Sequence, residues 1–90
     1  MLELPAELTQ QQATACLARL LQGLHAQTQL EVVVDAGALM HFDSSALAVL
    51  LACRRASLAA GKTFFVRHLP AKLMQLAGLY GVAGLLMQAP

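Results

Sequence analysis

An α/β fold built on a small, at least partly parallel sheet is the architecture this sequence predicts. Three observations carry that expectation. Short apolar strand-like segments alternate with stretches of helical spacing in the order strand, helix, strand, helix, strand, helix, and such an order needs crossover connections that set strands side by side in parallel. The chain has 90 residues, which fits one small domain spanning 1–90 and leaves no room for two. It is 58% hydrophobic and only 12% charged, enough apolar material for a core and the opposite of a disordered composition.

The elements follow in order. Leu2, Leu4, Ala6 and Leu8 alternate with polar residues or proline, which predicts a short strand held to an edge or an end by Pro5. Thr9 reads as an N-cap, and Gln12 three residues on completes a capping box. Behind it Ala13, Cys16, Leu17, Leu20, Leu21 and Leu24 recur at helical spacing, which predicts a helix of about four turns ending near His25. Leu30 to Val34 is a continuous β-branched run and reads as a buried strand with Asp35 at its end. Residues 36–42 read as a loop dipping to the core through Leu39, Met40 and Phe42. Asp43 is the next N-cap, leaving Ser44 and Ser45 in the first turn of a helix that runs to Ala60, with Leu47, Leu50, Leu51 and Leu58 inward and Arg54, Arg55 and Ser57 outward. Gly61 is placed to close that helix. Thr63 to Arg67 is a strand, Pro70 opens a third helix at its first position, and Gly78 and Gly81 break that helix around Leu79 and Tyr80. The apolar tail Val82 to Met87 fits a short helix, a last strand or a docking segment.

Composition excludes several functions. Net charge is +1 and aromatics are 4%, so there is neither a basic stripe nor a stacking platform for nucleic acid. The longest apolar run, Ala46 to Cys53, is far short of the roughly 20 residues of a membrane span. Met1 to Pro5 lacks a basic segment followed by an apolar one, so a cytoplasmic chain is expected. Cys16 and Cys53 both fall in helical apolar patterns and read as small buried hydrophobes. His25, His41 and His68 are isolated, so no metal site is expected, and there is no phosphate-cradling glycine loop and no cofactor. All five acids lie in the first 43 residues beside one base, Arg19; Arg54, Arg55, Lys62, Arg67 and Lys72 follow with no acid among them. Either the surface is bipolar and steers a protein partner, or folding interleaves the two parts. So many apolar residues in so small a chain also leave some apolar surface for a partner.

The informative place is the junction His41-Phe42-Asp43-Ser44-Ser45-Ala46-Leu47-Ala48. A phosphate on Ser44 would sit near free backbone amides and the positive end of the helix dipole, and would change what a partner meets without unfolding anything. The plainer account is an ordinary capping sequence. A small hydrolase using Ser44 as nucleophile lacks a histidine tied to that serine and any backbone signature for it.

Leu30-Glu31-Val32-Val33-Val34-Asp35, a short loop, and then Phe42 to Leu51 closely resemble the STAS domain family, which includes the anti-sigma factor antagonists of sporulation. Downstream, the Gly61-Lys62 turn, a strand, and Lys72 to Val82 with its Leu79-Tyr80 pair look most like the small STAS subunit of Mla-type phospholipid ABC transporters. The resemblance covers about residues 4–88. It implies a STAS fold, a small mixed or parallel sheet flanked by helices, and no catalytic activity. It implies that Ser44 stands where antagonists are phosphorylated and where transporter subunits touch the ATPase, that Asp43 is the acid of the motif, and that the helix from Ser44 docks on the partner. Asp43, Ser44, Ser45, Leu47 and Ala48 are then the contact set, with Arg54 and Arg55 reaching acidic residues farther along.

Two departures bear on function. Antagonists usually have glycine where this chain has Ala46, and a methyl there hinders close approach of a kinase. STAS domains commonly have a further strand before the one ending near Leu8; a sheet lacking that first strand leaves an edge for another subunit, or a second copy in a homodimer, to cover. The expectation is therefore a non-catalytic cytoplasmic subunit that binds the ATPase of a phospholipid ABC transporter, itself in complex with a permease, and so lies peripherally at the inner membrane. The alternative is an anti-sigma factor antagonist switched by a serine kinase at Ser44.

Overall fold

Nine short elements follow one another in the computed structural model, which describes residues 1–86. They are β1 (Leu2–Glu3), β2 (Glu7–Leu8), α1 (Gln10–Ala26), β3 (Glu31–Asp35), β4 (His41–Phe42), α2 (Ser45–Ala59), β5 (Thr63–Arg67), α3 (Ala71–Leu79) and a 3-10 turn, Ala83–Leu85. β1, β3 and β5 form a parallel sheet in that spatial order, and β2 and β4 form a second parallel pair. The register sets Leu2 and Val66 on either side of Val34, and Phe64 beside Val32. Side chains alternate across a strand, so Val32, Val34, Phe64 and Val66 all point into the core while Val33 and Phe65 share the other, half-buried face.

Both crossovers step the same way across the sheet, from β1 to β3 and from β3 to β5, so with right-handed connections α1 and α2 lie side by side on one face and run parallel. Leu20 and Leu24 of α1, Leu50 and Cys53 of α2, Leu73 of α3 and Leu8 are buried in one cluster with the inward strand residues.

The N-terminal segment departs from the expected single strand. Pro5 has no amide to continue a ladder, and the chain changes sheets there. Leu4 still donates to the Asp35 carbonyl at 2.9 Å, but the Ala6 carbonyl accepts from Met40 at 2.8 Å and His41 at 3.0 Å. Residues 36–42 accordingly hold a strand, β4, rather than only a loop. Leu39 dips to the core as expected, whereas Met40 is 73% exposed. Leu30 is likewise exposed, its carbonyl accepting from Thr63 at 2.9 Å.

Helix α2 corrects two expectations. Its buried stripe runs Ala46, Leu47, Val49, Leu50, Cys53 and Ser57, so Ser57 points inward, where its hydroxyl donates to the Cys53 carbonyl at 2.8 Å. Leu58 lies 100° farther round and is 48% exposed. The helix closes at Gly61, which sits at φ +75°; the Gly61 amide donates to Leu58 at 3.0 Å and the Lys62 amide to Ser57 at 2.9 Å, the paired bonds of a Schellman ending. Helix α3 ends in the same way at Gly81, so Gly81 and not Gly78 stops it, and Pro70 is its cap rather than its first residue. Leu79 and Tyr80, at 83% and 61% exposure, stand out at that end. Of the expected tail, Val82 to Leu86 contains the 3-10 turn and a buried Leu86, and Met87 lies outside the described residues.

Candidate functional site

The segment between β4 and α2 holds the first of the expected contact residues, Asp43 and Ser44. Asp43 is exposed and caps α2 from outside: its Oδ1 accepts from the Ser45 amide at 2.8 Å, and the Asp43 carbonyl accepts from Ala46 at 3.1 Å. Its other oxygen, Oδ2, accepts from the Gln10 amide at 3.2 Å, the first residue of α1. Hydrogen bonding from Ser45, with a smaller share from Gln10, holds the Asp43 carboxyl below its usual range against some desolvation. The expected capping role of Asp43 is therefore present, and it reaches a second helix.

Ser44 follows in an already helical conformation, φ −63° and ψ −16°. Its carbonyl accepts from Leu47 at 3.1 Å and Ala48 at 3.3 Å, while its side chain makes no capping hydrogen bond and is exposed. A hydroxyl at the start of a helix, open to solvent and tied to nothing, is available to a partner or to modification. Among the described residues no histidine is bonded to it.

The remaining expected contact residues divide. Ser45 is half-buried and Ala48 exposed; Ser44, Ala48 and Arg55 share a stripe, since four and eleven residues bring a helix nearly back to one direction. Leu47 is a correction: at 3% exposure its side chain belongs to the core, because it lies on the inward side of the first turn. Arg54 is on the other flank of α2. It lines a depression of about 190 Å³ with Leu58, Phe64, Phe65 and Leu85, while Arg55 lines one of about 290 Å³ with Ala48, Val49 and Ala52. The structure brings Arg55, and not Arg54, to the Ser44 side.

That second depression adds residues that the expected contact set does not include. Ala13, Thr14 and Leu17 of α1 form its other wall. Ala13 and Leu17 belong to the apolar stripe read from the spacing of α1, which starts at a capping box in which Gln12 Oε1 accepts from the Thr9 amide at 2.9 Å and the Thr9 hydroxyl at 2.7 Å. Nothing in the spacing of α1 says which helix it lies against.

The other polar groups lie apart from this segment. His68 is not isolated as expected: its Nδ1 lies 3.2 Å from Asp35 Oδ1, at the ends of β5 and β3, and its backbone has φ +59°. Asp35 is held below its usual range first by the Gly37 amide at 2.8 Å, then by His68. Among the described residues no three acids, histidines or cysteines gather to hold a metal, and no Lys or Arg lies within salt-bridge distance of a carboxylate. The described acidic and basic residues thus fold without pairing carboxylates to Lys or Arg. Both cysteines are free and buried, and burial pushes the Cys53 thiol up to about 11, with Cys16 raised for the same reason. No described helix is long and apolar enough to cross a membrane.

A family model described as Mlab, STAS domain, matches residues 1–88. No curated protein matches the chain.

Proposed function

Because the chain belongs to the STAS domain family, whose members are generally non-enzymatic and mediate protein–protein interactions, we propose that it is a non-catalytic subunit that grips and supports the ATPase of a phospholipid-transport ABC transporter. The observation that carries this reading is the free Ser44 side chain, presented at the head of a stripe that continues through Ala48 to Arg55. Small side chains there admit close approach of a partner helix, and Arg55 offers a cation without an acidic partner among the described residues. The exposed Leu79 and Tyr80 add apolar surface for a larger assembly. The protein would work in the cytoplasm, held at the inner membrane through the complex.

The test is affinity capture from cytoplasm and solubilised membrane with the wild type and Ser44→Arg as baits. Arginine on an exposed turn leaves the fold intact and blocks the stripe. An ABC ATPase and its permease recovered with the wild type alone support the reading. Equal recovery with both baits places the docking face elsewhere. A serine kinase that phosphorylates the wild type and not Ser44→Ala would make the chain an anti-sigma factor antagonist instead.

A further inference from the structure

Gln10 and Asp43 are far apart in the sequence, yet one carboxylate joins them. Asp43 Oδ1 serves the Ser45 amide at 2.8 Å and Oδ2 the Gln10 amide at 3.2 Å. Each oxygen is thus taken by a different helix, and both donors are first-turn amides with no acceptor within their own helix. The capping box of α1 does not supply one for Gln10, because Gln12 reaches back to Thr9. At the opposite ends of the same two helices Lys62 Nζ, just past α2, donates to the α1-end carbonyls of Leu24 at 3.2 Å and Gln27 at 2.8 Å. Side chains from the two flanks of α2 therefore fasten α1 at its start and its finish. The Asp43 bond is the one that meets Ser44.

We propose that Asp43 is a positioning residue, whose carboxylate holds the first turn of α1 against the Ser44 turn so that the two helices present a single docking face, with the Gln10 amide as the other half of the clip. The inference rests on the reading of the Ser44 stripe as the partner surface. It changes the role of Asp43 from a residue that touches the partner to one that acts through its neighbours: both oxygens are already engaged by backbone. It also gives the α1 wall, Ala13, Thr14 and Leu17, a place in recognition, since their distance from Ala48 depends on the clip.

The clip can be cut without damaging either helix. Gln10 is the first helical residue of α1, a position where proline is well tolerated because its missing amide has no helical partner. The preceding Thr9 is extended, φ −109° and ψ −173°, as a residue before proline must be. Gln10→Pro removes the cross-helix donor alone. Asp43→Asn keeps one acceptor oxygen for Ser45 and offers Gln10 an amide group that cannot accept.

Two measurements on the full chain separate this proposal from the reading beneath it. In the free protein, hydrogen exchange at the Gln11, Gln12 and Ala13 amides should quicken in both variants, while exchange at Gly61 and Lys62 stays as in the wild type. Exchange unchanged in Gln10→Pro overturns the clip. The affinity of the ATPase captured with the wild type should fall about fivefold in each single variant, as expected for one exposed charge-assisted hydrogen bond. Gln10→Pro/Asp43→Asn should bind no more weakly than either single variant, because asparagine suffices once the Gln10 amide is gone. Losses that multiply, or wild-type affinity in Gln10→Pro, overturn the positioning role. Quickened exchange with no ATPase captured by the wild type overturns the docking reading and leaves the clip standing.

Discussion

Replacing Lys62 by methionine should cost the protein about 1–2 kcal/mol of stability. The ammonium of this half-buried lysine donates to two carbonyls at the end of α1, Leu24 at 3.2 Å and Gln27 at 2.8 Å, and pairs with no carboxylate among the described residues. Those carbonyls belong to the last turn and the cap of α1, where intrahelical donors run out. A hydrogen bond from a charged donor is worth roughly 1.5–3 kcal/mol when desolvated, and partial exposure trims that. The negative end of the α1 dipole adds roughly 0.3–1 kcal/mol. Methionine keeps most of the stem, so packing against α1 survives and the charge and hydrogen bonds are what is removed. Urea unfolding followed by far-ultraviolet circular dichroism gives the difference directly, and the thermal midpoint should fall by roughly 5–12 °C for a domain of this size. Lys72→Met is the control: Lys72 is exposed on α3 and makes no hydrogen bond among the described residues. If Lys62→Met lies within about 0.5 kcal/mol of that control, the two contacts are surface decoration and the claim that Lys62 fastens α1 to α2 fails.

The pH dependence and thiol reactivity give two further checks. Asp43 and Asp35 titrate below the ordinary carboxyl value of 3.8 in the folded chain, so their contribution is complete above that value and is lost as pH falls through the folded values. The acid limb of stability, read from urea midpoints between about pH 5 and 3, should be shallower in Asp43→Asn and in Asp35→Asn than in the wild type; an unchanged limb would remove both carboxylates from the account. Cys53, fully buried with its thiol pushed up to about 11, should resist maleimide at neutral pH until the protein is unfolded, and rapid native labelling would show that the α2 core opens.

Much of the local structure was legible because it depends on neighbours in the chain. The Thr9–Gln12 box, the Asp43 cap and the Gly61 ending are satisfied by residues within four or five positions, so spacing alone locates them. The splitting of the first strand was half-legible, since Pro5 marks the break but not the change of sheet. Leu47 lies inward as its spacing says, but the faces of α2 at Ser57 and Leu58 differ from expectation, because a helix this rich in apolar residues has several possible inward stripes and its sequence does not choose among them.

The sequence by itself determined the α/β alternation, the starts and stops of α1 and α2, the Ser44 turn behind its capping aspartate and the likeness to STAS domains, all consequences of short-range chemistry. Only the tertiary structure decided that Ser57 is buried, that Arg54 and Arg55 face different ways, that His68 meets Asp35, and that Asp43 and Lys62 bind α1. Those contacts exist because two crossovers of the same hand lay α1 parallel to α2, and the sheet order that brings residues 33 to 38 positions apart into hydrogen-bond range is a property of the whole packed chain.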